Sequence, residues 1–293
     1  MQSDRSKSLL LYHFVVVIFG LSSVLGALIS LHAIPLVIYR MGLAALGLAI
    51  YFILYNPKYF ILKTSMWSSV FMGGVIIAIH WATFFYAIKI AGVSLTLSMM
   101  ATGAFMTAML EPILIKRKVL VYEIFFGGFT ALGVGLIFNA EFEEFQSILI
   151  ALFSAFLSAL FTILNNQMVK KAHPITLSFY ELLIGALVGI LYVLFFGNYN
   201  LNDFQFEDWD FVWIFILAFI CTSYAFNVSI KVMKHLSSFT IMMIINLEPI
   251  YGILLSLAIW NEKEYLSPMF YLGFCIVLLS ILMNGIYKHK KES

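Results

Sequence analysis

Four acids and bases, Arg40, Glu111, Glu181 and Glu248, and one histidine, His80, stand inside long apolar runs of this chain. A charge at the centre of a bilayer costs roughly 3 kcal/mol unless it is paired or wet, so each marks a place where the chain handles charge. Glu248 directly precedes Pro249. Proline lacks an N–H and frees a carbonyl one turn earlier, which breaks the helix beside the carboxyl. A carboxyl at such a break can take up and release a proton or meet an ion. The alternative is a strut that bonds to backbone or to Asn246 and holds a kinked helix. His80 and Trp81 are followed by Thr83, Phe84 and Tyr86. Histidine is the side chain best suited to switch charge near neutral pH, and this run fits either a solute pocket or a fixed hydrogen bond between spans. Arg40 fits snorkelling to the nearer surface or a grip on a solute carboxylate. Glu181 fits a gate acid or a partner for Lys170 or Lys171. Tyr224 and Asn227, three apart on one helix face, fit the far wall of a cavity that His80 and Trp81 line from the near side. Asn165 and Asn166 read as a helix-end cap, and Glu111, beside Pro112 and ahead of Lys116 and Arg117, as a helix-end ion pair.

The elements that position these groups are membrane spans. The chain has 293 residues, 62% hydrophobic and 11% charged, with a mean hydropathy of +0.99. That is too little charge for a soluble surface. Reading for runs of about 20 apolar residues gives ten, roughly 9–30, 36–55, 66–88, 95–115, 120–138, 147–164, 175–196, 211–230, 238–259 and 268–287. The first is too long for a signal-peptide core and lacks a small-residue cleavage site, so it reads as a retained span. Short connections make neighbouring spans antiparallel. Rows of small residues (Ser22, Gly26 and Ser30; Ser154, Ser158 and Thr162; Gly185 and Gly189) let helices approach closely. Cys221 and Cys275 lie in apolar runs without metal spacing and read as small buried apolar residues.

Basic residues sort to one side. With the N-terminus inside, the inner segments hold Arg5, Lys7, Lys58, Lys63, Lys116, Arg117, Lys118, Lys170, Lys171, Lys231, Lys234, Lys288, Lys290 and Lys291, and the outer ones only Lys89 and Lys263. That asymmetry places both termini in the cytoplasm. The outer loop carrying Phe204, Phe206, Trp209 and Trp213 is aromatic and acidic, which fits an interfacial belt or a surface that recruits solute.

The two halves repeat. A shift of 145 residues carries Lys89 onto Lys234, Leu110 onto Leu255 and Gly128-Phe129 onto Gly273-Phe274, and a looser match pairs Leu36–Arg40 with Leu177–Glu181. Five is odd, so the second unit enters the membrane upside down, and its loop charges reverse accordingly. The expected fold is an all-α polytopic membrane protein of ten transmembrane helices. They form two inverted five-helix repeats, residues 1–140 and 141–293, an architecture of secondary transporters. Arg40 and Glu181 are then symmetry counterparts about 15 Å apart in depth, not an ion pair.

On these residues the chain resembles the drug/metabolite transporter superfamily, and within it the EamA-type family of ten-span carriers. The best marker is Ser238-Phe-Thr-Ile-Met-Met-Ile-Ile-Asn246-Leu247-Glu248-Pro249-Ile250-Tyr251-Gly252, continuing to Trp260-Asn261-Glu262. In the first half, Ala101–Thr107 and then Leu110-Glu111-Pro112 are similar to the corresponding fourth span. That half departs from the pattern by closing on Lys116-Arg117-Lys118, where many relatives carry an acid. The resemblance implies a carrier that moves a small organic solute outward, an amino acid or related metabolite or drug, by alternating access around a midplane site. His80, Trp81, Tyr224, Asn227, Asn246 and Arg40 are the expected solute-binding residues, and Glu248 and Glu181 the expected proton-coupling or gating acids. The expected partners are the solute, protons and the lipid bilayer of the inner or plasma membrane, not nucleic acid. No phosphate loop, H-E-x-x-H, Cys/His cluster or haem motif occurs, so no cofactor or metal is expected. Two other classes compete: an intramembrane enzyme with His80 and Glu248 as acid and base, and a non-transporting assembly subunit.

Overall fold

The computed structural model describes residues 2–116, 121–260 and 266–292, and is helical with no strand among them. Arg117, Lys118 and the loop Asn261-Glu262-Lys263-Glu264 lie outside the described residues. The helices are α1 (Gln2–Leu28), α2 (Ala33–Tyr55), α3 (Trp67–Met100), α4 (Gly103–Ile115), α5 (Val121–Ala140) and α6 (Phe145–Met168). They continue with α7 (Pro174–Phe195), α8 (Asp210–Ala218), α9 (Ala225–Val232), α10 (Ser238–Ile245), α11 (Glu248–Trp260) and α12 (Pro268–Glu292). A six-residue π-helical segment, Phe219–Tyr224, joins α8 to α9.

Seven helical runs among the described residues are long and apolar enough to cross a membrane, with three shorter apolar helices, Gly103–Ile115, Phe125–Ala140 and Pro268–Ser280. The expected fourth, fifth and tenth spans are the three that fall among the shorter helices, and the third runs on into the start of the fourth. Residues 67–100 form one helical run broken at Gly92, whose φ of 82° and ψ of 173° turn the chain sharply. A side chain at that φ is strained, which is why glycine stands there. The expected fourth span is itself interrupted at Ala101 and Thr102 before α4 begins. In the second half α10 is likewise interrupted at Asn246 and Leu247 before α11. Both α4 and α11 have 13 residues, and the 145-residue shift carries one onto the other. In that register Glu248 falls on Gly103, so the two Leu-Glu-Pro runs are not structural counterparts: Glu111 lies two turns deeper into its helix than Glu248.

The bundle has two differently furnished ends. At one, Tyr59 stacks on His173 with ring centroids 4.7 Å apart, Thr176 Oγ1 donates to the Tyr59 carbonyl at 2.9 Å, and the Asn166 amide donates to the carbonyls of Met233 and Leu236. Lys7, Lys231 and Lys234 gather here; we call it the basic end. At the other, Asp210 accepts from the backbone N–H of Ser30 at 2.9 Å, from the Ser30 hydroxyl, and from the N–H of Glu207 at 3.1 Å. Lys89 donates to the Ile29 carbonyl. Glu141 accepts from the backbone and hydroxyl of Ser267. This acidic end is latched by its charges. Tyr39 bonds the carbonyl of Phe204 at 3.0 Å and packs against the rings of Phe204 and Phe206, which fixes the aromatic loop to α2.

Two packed cores follow. The larger joins α1, α2, α3, α6, α7 and the α8–α9 run; the smaller joins the end of α3, α4, α5, α6 and α10 to α12. α5 and α12 approach closely: a Cβ at Gly133 would lie 2.8 Å from the Gly273 carbonyl oxygen and one at Gly273 would lie 2.7 Å from that of Gly133. Both positions need glycine because the obstacle is backbone. Cys221 is buried as expected, whereas Cys275 is exposed on the outer face of α12. Asn165 and Asn166 are buried within α6, which runs on to Met168, so neither caps the helix end.

Candidate functional site

Between α1, α2, α3, α6, α9 and the α10–α11 break lies a cavity of about 80 Å³. Its walls follow from helical spacing. Tyr12, Phe19 and Ser22 recur at seven and three residues on α1, Phe161 and Thr162 lie three and four residues after Ser158 on α6, and Ser229 lies three after Phe226 on α9, with Met233 four further on at its C-cap. Such intervals put side chains on one helix face. α3 contributes Ile77, His80, Trp81 and Phe84, α2 contributes Arg40, and α11 contributes Glu248, its first residue.

Arg40 is 2% exposed and points inward rather than to the nearer surface. Its Nε donates to Thr222 Oγ1 at 2.7 Å, and its guanidinium carbon sits 3.9 Å from the centroid of the Trp81 ring. A guanidinium on an aromatic face gains a cation–π contact as well as a fixed orientation. The π segment makes this possible: Thr222 and Ser223 donate to the carbonyls of Leu217 and Ala218, five residues back. Insertions of this kind concentrate at functional sites. The Nη groups of Arg40 have no hydrogen-bond partner among the described residues, so their donors remain available in the cavity.

His80 is fixed to α6. Its Nδ1 lies 2.9 Å from the Ser154 carbonyl, and the Ser154 hydroxyl lies 2.9 Å from the His80 carbonyl. A carbonyl only accepts, so Nδ1 carries the proton and Nε2 presents a lone pair. Glu248 opens α11 with no hydrogen bond to its carboxyl group among the described residues, and it feels the charge of Arg40 across the cavity. The site thus offers guanidinium donors, a carboxyl group and an imidazole acceptor, surrounded by Trp81, Phe84, Phe161 and Phe226. Trp81 meets Phe226 edge-on at 5.4 Å, and Phe226 stacks on Phe161 at 5.6 Å. A small solute with both an anionic and a cationic group finds complements for each.

The other expected residues lie elsewhere. Asn246 is buried at the helix break; with its amide oriented to suit its neighbours, the nitrogen donates to the carbonyls of Met242 at 3.2 Å and Ala101 at 3.0 Å. It therefore ties the two helix interruptions together. Tyr224 is 46% exposed and faces away from the cavity. Asn227 lies in a separate vestibule at the basic end. The reason is the π segment, since one extra residue rotates the following face by about 100°. Glu181 is fully buried, accepts from the Asn165 amide at 2.8 Å through Oε1, and has no partner for Oε2 among the described residues. It neither pairs with Lys170, which donates to Gln167, nor reaches the cavity. Sequence reasoning missed Tyr12, Thr222 and Phe226, though the three-and-four intervals on α1 and α9 could have found the first and last.

Comparison with known proteins bears on the whole arrangement. No curated protein matches the chain. A solved crystal structure of a protein, 12% identical, superposes over 96% of this chain and 96% of that one with a TM-score of 0.68, a likeness of fold. Residues 145–286 match the model of the EamA-like transporter family. Together with the apolar helices, this match over residues 145–286 supports an EamA-type membrane protein of the drug/metabolite transporter superfamily.

Proposed function

We propose that this protein is a secondary carrier for a small zwitterionic solute, an amino acid or a close relative, working by alternating access. One observation carries the reading: Arg40 and Glu248, of opposite chemistry and without a hydrogen bond to each other, line the same central cavity. Arg40 takes the solute carboxylate through its two amino groups. Glu248 and the carbonyls freed at the α10–α11 break take the ammonium, as broken helices do in transporters. Trp81, Phe161 and Phe226 supply apolar walls. Drug-sized ligands occupy pockets of about 300–1,000 Å³, so a cavity of about 80 Å³ favours a small solute.

The moving parts are two inverted five-helix units, 1–140 and 141–293. The matched interruptions before α4 and α11 support this division, because an inverted repeat should place its breaks in register. The ten spans are then α1, α2, residues 67–91, residues 93–115, α5, α6, α7, α8 with α9, α10 with α11, and α12. With the basic end in the cytoplasm, the latched acidic end faces outward and the vestibule faces inward. That conformer loads from the cytoplasm, which suits export. Glu248 is the proposed proton-coupling acid, since it can exchange its proton against the solute ammonium. Glu181 is the proposed gating acid, its unpartnered oxygen marking a site that repacks when α7 moves against α3.

Reconstituted protein supplies the test. Efflux of labelled amino acids from liposomes should depend on an imposed pH gradient in the wild type. Glu248→Gln should retain folding and lose that dependence. Full gradient-driven transport by Glu248→Gln would remove the acid from the mechanism, and no transport across an amino-acid panel would reject the carrier reading itself.

A further inference from the structure

The vestibule at the basic end has a volume of about 670 Å³, several times that of the central cavity. It borders that cavity, because Leu11 lines one and Tyr12 the other on α1, as do Val232, the last residue of α9, and Met233 just after it. Among the described residues its walls carry Lys7, Lys231, Lys234, His173 and His235 with one acid, Asp4. At the acidic end, by contrast, carboxylates from Glu141 and Asp210 already satisfy the backbone and hydroxyl donors around them.

Three further features make this concavity more than a basic surface. His173 is held by its stack on Tyr59, which fixes the imidazole at the rim. Pro174 and Ile175, the first turn of the 22-residue α7, line the wall. The positive end of that helix dipole therefore faces the same space. Asn227 Oδ1 lies 3.4 Å from the Ser178 hydroxyl, which also donates to the Pro174 carbonyl at 3.0 Å, and its amide nitrogen is a donor on the vestibule wall. Clustered lysines, an amide donor and a helix N-terminus are the groups that take phosphate oxygens. Basic pockets between helices at a cytoplasmic membrane face accept phospholipid headgroups for the same reason.

We infer that the vestibule is a second binding site, for a phosphate group carried either by an anionic lipid headgroup or by free phosphate. The inference stands on the vestibule alone and is independent of the transport reading. Bound there, the anion neutralises Lys231 and Lys234 and lets the walls formed by α1, α7 and α9 approach without like-charge repulsion.

The thermal unfolding midpoint of the full-length protein tests it. Wild-type protein in phosphatidylcholine nanodiscs is compared with the same protein in discs containing phosphatidylglycerol. In parallel, protein in phosphatidylcholine discs is titrated with inorganic phosphate against chloride at equal ionic strength. A rise of several degrees with phosphatidylglycerol but not with phosphate identifies a headgroup site; a rise with phosphate beyond that of chloride identifies a site open to the free anion. Either rise should be mostly lost in the double variant Lys231→Gln/Lys234→Gln and kept in Lys58→Gln/Lys63→Gln, whose charges lie off the vestibule. No rise beyond the chloride and phosphatidylcholine controls, or a rise equal in both double variants, overturns the inference. If Lys231→Gln/Lys234→Gln fails to fold, His173→Gln with Asn227→Ala replaces it and must also lose most of the rise.

Discussion

At the residue scale, Arg40 is the most firmly held polar group of the cavity, because its neighbours leave only part of it free. Thr222 and Trp81 hold the guanidinium in place, and a lysine could reproduce the charge but not the fork or the stacking. A charged hydrogen bond is worth about 1.5–3 kcal/mol. Arg40→Lys should therefore raise the half-saturating solute concentration roughly 10- to 150-fold with little change in folded yield; a proportional loss of both would mark Arg40 as a packing residue. His173 carries the pH prediction. Burial holds its imidazole below the ordinary 6.5, and Lys234 and Lys231 push in the same direction. The ring is neutral at pH 7, and the proton is disfavoured in the folded chain, so stability falls as pH drops below about 6.5. Tyr59, Lys231, Lys234, His235, Lys7 and Asp4 surround the same space. A bound headgroup phosphate reverses the preference, so phosphatidylglycerol should stabilise more at pH 6 than at pH 8, and His173→Gln should show no such difference. Arg40, His80, Trp81 and Glu248 were legible in the sequence because charge and aromaticity stand out in apolar runs. Thr222 was not, because its role depends on a π segment that composition does not announce.

At the element scale, the interruptions matter more than the helices. Pro249 announced the second one in the sequence, but nothing announced the break at Ala101 and Thr102, because proline in the first half lies later, at Pro112. The two Leu-Glu-Pro runs do not share the 145-residue register read from the sequence, in which Glu248 falls on Gly103. Gly92 is the sharpest of these features. Gly92→Ala places a side chain at φ 82° and should lower stability by about 1–2 kcal/mol, readable as a lower unfolding midpoint. An unchanged midpoint would mean that the turn relaxes to another conformation. At Gly133 and Gly273 the cost is steric instead: Gly133→Val should separate α5 from α12 and reduce folded yield while the distant cavity keeps its solute affinity in the protein that folds.

At the scale of the whole molecule, the charge asymmetry read from the sequence reappears as two unlike ends, one latched and one open to a vestibule. The sorting was legible because each turn carries its own charges. The latch itself was not, because Ser30 and Asp210 are 180 residues apart and only the fold joins them. Asp210→Asn weakens three contacts at once and should favour opening at the acidic end roughly tenfold by the same hydrogen-bond energies. In a Cys221→Ala/Cys275→Ala background, a cysteine at Ser22 should then react faster with an impermeant thiol reagent added from the acidic side. An unchanged rate would show that Asp210 is not the latch. The central claim is that one cavity recognises both charges of a zwitterion, and the most direct measurement compares three matched solutes on reconstituted protein: an amino acid, its decarboxylated amine and its deaminated acid. The account predicts that the amino acid alone is bound and moved well, that Arg40→Gln abolishes its advantage over the amine, and that Glu248→Gln abolishes its advantage over the acid. Equal transport of all three by the wild type would contradict it.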